Sequence, residues 1–378
     1  MRSKLYWRPS RVPNRVLMLL MLAAAAALLI VESQTVNQTG KHYDEMLQAA
    51  RLMQRGMNVL QPVRAKVEPI NPELDPLRTG LVGLASSSIT SNSGHLVAKR
   101  ATLNPNWGAL AVRLLSEAGL AAGDRVAIAV SGSFPALNLA VYSAAEVMQL
   151  DAVIIVSGAA SQWGANIPGM SWIDMADILR DAGVLSLQAR AMSLGAESDR
   201  GIGLPRAGVA SLKDSAQRAG VPLLYPSSLE ASVSERLALY REPSLPPVKA
   251  LINVGGGSAT TGPDRIDHYF DPGLSRSVKP RALSAPSVMG RFLAEGIPVI
   301  NFSGVKTLAL RYGLPYPPDE PAAVGVGGVY QGERYRRSLA ASMVVGLILL
   351  TAFLMRSASI ALAAEDNSRG PSKLRAKV

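Results

Sequence analysis

The residues of this chain that could do chemistry are mainly serines, and they follow apolar runs. The pattern occurs three times, in residues 126–138, 152–161 and 251–261, where a run of valine, isoleucine, leucine and alanine ends in small polar residues. Such runs, bounded by turns, predict strands that are buried on both faces. In an open parallel sheet, ligands bind beyond the carboxyl ends of the strands. The sequence therefore predicts one sheet edge at which hydroxyl groups and backbone N–H groups gather.

The turn after the first run, Ser131-Gly132-Ser133, allows three interpretations. A serine between a strand and a helix has the position of a nucleophile elbow, although the motif here is S-G-S-F-P rather than G-x-S-x-G. A serine nucleophile needs a base, and His268 is better placed by chain order than His95. Alternatively, backbone N–H groups of the turn bind a carboxylate or a phosphate, or the serines only cap the following helix.

The third run contains Asn253 and ends in the glycines Gly255, Gly256 and Gly257. This turn lacks the glycine spacing of the dinucleotide-binding fingerprint and the Gly-Lys-Ser/Thr of a P-loop. Three glycines let the backbone approach a ligand closely, and plain turn geometry is the alternative. In an enzyme, the same turn would stabilise an anion.

Further side chains near the predicted strand ends complete a candidate ligand site. Trp163 could form an apolar wall and Asn166 could offer an amide. Lys99 and Arg100 form a compact basic pair that suits a ligand with carboxylates, or they are the exposed charged end of a strand. The candidate ligand-binding residues are Lys99, Arg100, Gly132, Asn138, Ser157, Ser161, Trp163, Asn166, Asn253, Gly255, Gly256 and Gly257.

The two ends of the chain carry apolar runs, at 16–31 and 339–355, flanked by basic tails. Each run is near the lower length limit of a membrane-spanning helix, roughly 17 residues. The positive-inside rule places both tails in the cytoplasm and the body outside, although arginines also lie just outside the second run. A cleaved signal peptide is the alternative for the first run. The expected location is a membrane, which the chain crosses with two spans.

Charge and composition exclude several classes of site. The tails supply +5 and +3 of the net charge of +11, which leaves +3 on the body. The basic balance therefore reflects topology and affinity for the lipid bilayer, and no motif for nucleic acid is present. Cysteine is absent and the three histidines lie far apart, so no metal ion and no cofactor is expected.

Alternating strand and helix patterns predict an α/β body with a doubly wound, mostly parallel, Rossmann-like sheet. A strand is expected at 221–224, a hairpin turn at 91–94, and a capping box that starts at Ser171 and makes Asp174 structural. The predicted segments are a cytoplasmic tail (1–15), a transmembrane helix (16–31), a helical stalk and proline-rich linker (32–79), an extracytoplasmic α/β domain (80–318), a linker (319–338), a second transmembrane helix (339–355) and a cytoplasmic tail (356–378).

The stalk contains a helical pattern over residues 37–60. Its apolar residues recur with alternating spacings of three and four from Tyr43 to Leu60, as along the seam of a coiled coil. The seam packs on the body of the same chain, or it joins two copies in a homo-oligomer through the 43–60 helix.

Several of these motifs together resemble the bacterial poly-gamma-glutamate system protein family. The segments that carry the resemblance are 98–105, 123–124, 131–138, 163–166, 172–175, 252–256 and 312–315. They span most of the chain, from about residue 80 to 318, and the joined motif 131–138 is the most specific. The family accompanies enzymes that make and export poly-gamma-glutamate, an anionic capsule-type polymer. The resemblance implies a pathway rather than a reaction. With the two predicted spans, it also implies a location in the bacterial inner (cytoplasmic) membrane.

The leading hypothesis is a membrane-anchored accessory protein of poly-gamma-glutamate biosynthesis or export. Its expected partners are the nascent polymer or γ-glutamyl oligomers, membrane synthase or export subunits, and the lipid bilayer. One alternative is a hydrolase or transferase of γ-glutamyl amides with Ser131 or Ser133 as nucleophile and His268 as base. A second alternative reverses the topology, so that a cytoplasmic body binds a nucleotide or a phosphate at the glycine-rich turn.

Overall fold

The computed structural model of the 378-residue chain describes residues 13–39, 42–255, 257–263, 268–317, 322–335 and 337–368. Residues 1–12 of the first predicted basic tail, residues 369–378 of the second, and Gly256 lie outside the described residues. The chain divides into two units, with boundaries after Thr39 and after Tyr330. One unit contains both ends of the chain, and the other contains the segment between them.

The described strands are β1 (Thr35–Thr39), β2 (Thr90–Asn92), β3 (Arg125–Ser131), β4 (Asp151–Ser157), β5 (Ala160–Ser161), β6 (Ala191–Ser193), β7 (Ala250–Val254), β8 (Gly273–Ser275), β9 (Val299–Phe302) and β10 (Gln331–Tyr335). The described α-helices are α1 (Asn14–Ser33), α2 (Tyr43–Val67), α3 (Leu96–Ala101), α4 (Asn106–Glu117), α5 (Pro135–Val147), α6 (Trp172–Asp181), α7 (Arg206–Arg218), α8 (Leu229–Tyr240), α9 (Ser258–Thr261), α10 (Val288–Ala294), α11 (Val305–Arg311) and α12 (Arg337–Ser368).

The unit of the chain ends consists of α1, β1, β10 and α12. Strands β1 and β10 pair antiparallel, with Thr35 opposite Tyr335, so the end of α1 lies beside the start of α12. The segments Asn14–Ser33 and Ser338–Ser357, of 20 residues each, are long and apolar enough to cross a membrane. Their large apolar side chains are mostly exposed, as lipid-facing side chains would be. The two predicted apolar helices are therefore present as candidate spans.

In the other unit, six strands form one sheet in the order β6-β4-β3-β7-β9-β8. Five are parallel, and the edge strand β8 is antiparallel to β9. From β3 the chain adds β4 and β6 on one side, and then returns to place β7 and β9 on the other. The order therefore reverses between β3 and β7, the two central strands. The prediction of an α/β unit with a mainly parallel sheet is confirmed.

Alternate residues of the central strands pack against helices on opposite faces of the sheet. Ile128 and Val130 join the core formed with α4 and α5, whereas Ala129 and Leu251 join the core formed with α8 and α10. Because both faces are covered, the strands are apolar at nearly every position, which explains the unbroken runs in the sequence.

The predicted stalk helix is α2, and its apolar seam is buried within its own unit. Met46, Met53 and Leu60 are at most 3% exposed, and α2 contacts α4 and α5. The seam thus packs on the body of the same chain. The helix also continues to Val67 through Pro62, where the sequence predicted an extended linker. A proline inside a helix costs about 3 kcal/mol, and burial of the flanking turns offsets this cost.

Of three other local predictions, one is confirmed and two are wrong. The capping box of Ser171 and Asp174 is confirmed. The strand predicted at 221–224 is wrong, because this segment makes only one bridge and β6 holds the sheet edge. The hairpin predicted at 91–94 is also wrong. Its first two residues belong to β2, which pairs in parallel with β5 across a long sequence separation.

Candidate functional site

The carboxyl ends of β3, β4 and β7 open onto a cleft of about 590 Å³, which we call the serine-lined cleft. Its described lining consists of Ser91, Asn92, Ser131, Ser133, Ser157, Ala159, Ala196, Glu197, Ser198, Leu229, Gly255, Gly257, Ser258 and Pro263. The cleft lies where the strand order reverses, which is the usual ligand site of open α/β sheets. A second cavity of about 660 Å³ lies against α2, and no strand-end residue lines it.

The serine-lined cleft presents several hydroxyl groups to a ligand. Six of its described lining residues are serines, and each hydroxyl can both donate and accept a hydrogen bond. A Cβ atom on Gly255 would stand 2.3 Å from Ser131 Oγ, and one on Gly257 would stand 2.7 Å from Ser157 Oγ. A side chain at either position would displace a serine hydroxyl, so the two glycines let the backbone approach the serines.

Backbone N–H groups in the turns after β3 and β4 donate hydrogen bonds to other groups of the protein. Gly132 N–H donates to the carbonyl of Ser157, and Ser133 N–H donates to Ser131 Oγ. Ser161 N–H donates to Ser133 Oγ, and neither Ser131 nor Ser133 caps α5. These turns therefore present hydroxyls to the cleft, and not the free N–H groups that the sequence suggested.

A fully buried ion pair lies beside the cleft. Arg236 on α8 and Asp199 are both 0% exposed, and Arg236 Nη2 stands 2.9 Å from Asp199 Oδ2. Burial is the largest single influence on Arg236 and lowers its pKa, but Asp199 and Tyr240 together raise this pKa above its ordinary value. Asp199 also accepts hydrogen bonds from Ser157, Ser193 and Ser232, at 3.1, 2.6 and 2.5 Å. The carboxylate is thus well satisfied although it is out of water.

This ion pair anchors a strained wall of the cleft, residues 196–199, which we call the wall segment. Ala196, Ser198 and Asp199 have φ angles of 60°, 55° and 64°. Non-glycine residues in this region cost about 1–3 kcal/mol each and persist only where the surroundings hold them. The bonds of Asp199 supply that hold, and they place Glu197 and Ser198 in the cleft lining.

Lys99 lies behind the cleft rather than on the surface. It is 2% exposed, and its Nζ donates to Ser161 Oγ at 2.8 Å and to the carbonyl of Ser133. Nζ also stands 3.7 Å from the centre of the Phe134 ring. Burial lowers the pKa of Lys99 to about 7. Lys99 therefore connects the turn after β3 to β5 through hydrogen bonds. Because its side chain is buried, its charged form is destabilised.

Arg100 makes no exposed patch with Lys99, so the predicted basic pair is not available to a ligand. Its guanidinium donates to the carbonyls of Glu73 and Leu74, and both basic residues lie on α3 rather than at a strand end. The sequence could not reveal this, because long cationic side chains are usually exposed.

Two of the predicted site residues support strand ends instead of lining the cleft. Asn138 is buried on α5, and its Nδ2 donates to the carbonyl of Ser131 at 2.8 Å. Asn253 is buried on β7, and its Nδ2 donates to Asn301 Oδ1 at 2.9 Å. Both are framework residues that fix the ends of β3 and β7.

Trp163 and Asn166 likewise serve the framework. Asn166 is fully buried and bonds both the N–H and the carbonyl of Leu84, at 2.8 and 2.7 Å. Trp163 has a φ of 58°, and its N–H donates to the same carbonyl. These residues pin the segment before β2 and do not line the cleft.

No histidine is among the described residues that line the cleft. The ring of His268 stands 4.2 Å from that of Tyr269, and His95 precedes α3. The described lining thus contains both serines of the pair considered for a hydrolase, and neither of its candidate bases. The described residues also hold no group of three histidine or carboxylate side chains suited to a metal ion.

The structure thus brings together Ser131, Ser133, Ser157, Gly255 and Gly257 at the cleft, with Gly132 between the first two. The wall segment was not predicted from the sequence. The turn-forming composition of residues 195–203 could have indicated it, and in the structure three glycines of this stretch have positive φ angles.

Comparisons of the chain with protein-family models, with curated proteins and with solved structures find no match.

The buried ion pair yields a stability prediction. Asp199→Asn keeps the shape of the side chain but leaves the Arg236 charge without its carboxylate, which costs about 3–5 kcal/mol. The control is Glu295→Gln, which breaks the exposed pair of Arg241 and Glu295 and costs under about 1 kcal/mol. Thermal unfolding of the full chain in detergent, followed by circular dichroism, measures both losses. Equal losses would contradict the anchoring role of Asp199.

Lys99 yields a pH prediction. Its pKa falls from 10.5 to about 7 on folding, so below pH 7 the folded and unfolded chains both carry the charge and the burial cost is fully present. Between pH 7 and 10.5 the unfolded chain binds more protons, so stability rises by up to about 1.4 kcal/mol for each pH unit. Lys99→Met removes this rise. Unfolding scans at pH 7.5 and pH 9 measure the difference in stability between wild type and Lys99→Met, and this difference should shift in favour of wild type at pH 9. The same difference at both pH values would refute the lowered pKa of Lys99.

Proposed function

We propose that this chain is a membrane-anchored accessory protein of poly-gamma-glutamate biosynthesis or export, and that its serine-lined cleft holds a γ-glutamyl segment. The unit between the two apolar helices faces away from the cytoplasm in this proposal. Its partners are the polymer or γ-glutamyl oligomers, the synthase or export subunits of the membrane, and the lipid bilayer.

The single observation that carries the proposal is the convergence on one cleft of the serine-bearing ends of β3 and β4 and the glycine-rich end of β7. A γ-glutamyl unit presents an amide N–H, an amide carbonyl and an α-carboxylate. Hydroxyl groups can donate to both kinds of oxygen and can accept from the N–H. The six serines that line the cleft match this mixture of groups, and the resemblance in the 131–138 motif supports the same polymer.

The proposed orientation follows from charge. Basic residues precede the first apolar helix and follow the second, as the positive-inside rule requires of two cytoplasmic tails. We also propose the doubly wound, Rossmann-like class for the sheet, since its strand order reverses between β3 and β7 with helices on both faces.

A binding role is better supported than hydrolysis or nucleotide binding. No histidine is among the described lining residues, and Lys99, which could accept a proton near neutral pH, bonds to Ser161 and to the carbonyl of Ser133. The glycine-rich turn after β7 also lacks the Gly-Lys-Ser/Thr of a P-loop, whose lysine contacts the phosphates of a nucleotide. These two features disfavour the alternatives with a serine nucleophile and with a nucleotide.

Calorimetric titration of the full chain in detergent with a γ-glutamyl tetramer tests the proposal. Wild type should bind, and Ser133→Ala combined with Ser198→Ala should weaken binding about tenfold, because each lost hydrogen bond is worth about 0.5–1.5 kcal/mol. The matched control combines Ser234→Ala and Ser244→Ala, two exposed serines outside the cleft. No binding by wild type, or equal losses in both double variants, would overturn the proposal.

A further inference from the structure

The charge of the serine-lined cleft distinguishes between the parts of a γ-glutamyl chain. Glu197 is the only ionisable side chain among its described lining residues. The Glu197 side chain is exposed, and no ion pair joins it to another described residue. The described lining therefore presents one negative charge and many neutral hydroxyls.

The polymer itself is not uniform in charge. In a chain linked through γ-carboxyl groups, every internal unit has its nitrogen in an amide and exposes an α-carboxylate. Only the amino-terminal unit has a free α-ammonium group, which stands next to an α-carboxylate. Internal units are therefore anionic throughout, whereas the amino-terminal unit ends in a zwitterion.

We propose that the cleft recognises the amino-terminal unit of the chain, with Glu197 contacting its α-ammonium group and the serine hydroxyls contacting its α-carboxylate. This inference rests on the proposed function and narrows it to one end of the polymer. An internal unit would bring its carboxylate toward Glu197 and be repelled, since like charges at contact distance oppose each other. The terminal ammonium would be attracted by the same carboxylate.

The backbone of Glu197 is held in place by its neighbours. It lies in the wall segment between Ala196 and Ser198, and the buried Asp199 anchors that segment. Ser258 Oγ donates to the carbonyl of Ala196 at 3.2 Å, which joins the wall to the turn after β7. The acidic group and the strand-end hydroxyls therefore line the same cleft from connected walls, as a zwitterionic head group requires.

The test compares a γ-glutamyl tetramer that has a free amino terminus with the same tetramer after N-acetylation, which removes the charge. Calorimetry uses the full chain in detergent at pH 7. Wild type should bind the free tetramer about tenfold more tightly than the acetylated one, since the charge-assisted contact is lost. Glu197→Gln should weaken binding of the free tetramer by a similar factor and abolish the discrimination. Glu235→Gln, on α8 and outside the cleft, should leave both affinities unchanged.

The outcomes separate this inference from the proposed function. Equal binding of the two tetramers by wild type would overturn end recognition and leave polymer binding intact. Discrimination that survives in Glu197→Gln would overturn the role of Glu197. Binding of neither tetramer would overturn the proposed function, and the inference with it. Circular dichroism of each variant establishes that the comparison is made on folded protein.

Discussion

The serine-lined cleft depends on one buried ion pair. Arg236 and Asp199 are both removed from water, and the cost of that removal is offset by their mutual attraction and by three serine hydroxyls. The pair holds Ala196, Ser198 and Asp199 in a backbone conformation that non-glycine residues rarely adopt. Through Ser157 it is also joined to the end of β4. One wall of the cleft and one strand end are thus fixed by the same electrostatic contact.

The positions of the other walls of the cleft are determined by the strand order of the sheet. Strands β3 and β7 are neighbours because the strand order reverses between them, and this brings the serine turn of one beside the glycine turn of the other. The closeness of Gly255 to Ser131 Oγ and of Gly257 to Ser157 Oγ shows how tightly the turns fit. A side chain at either glycine would separate the turns and change the positions of the hydroxyls. The local residue types and the topology are therefore coupled at the site.

The parts of this account that are local in sequence could be predicted, and the parts that depend on distant contacts could not. Apolar runs that end in Ser131, Ser157 and Gly255 predicted the central strands and their shared edge. The burial of Lys99 could not be predicted, since its partners lie on β5 and in the turn after β3. The same holds for Asp199, whose partners come from three other elements of the chain.

Hydrogen–deuterium exchange of the full chain in detergent, with and without a γ-glutamyl tetramer, tests most directly whether the serine-lined cleft is the binding site. The account predicts slower exchange in peptides that cover residues 131–133 and 196–198, which line the cleft from two walls. Peptides that cover residues 54–61, beside the cavity against α2, should be unchanged. Protection at 54–61 with no change at the two cleft segments would contradict the account.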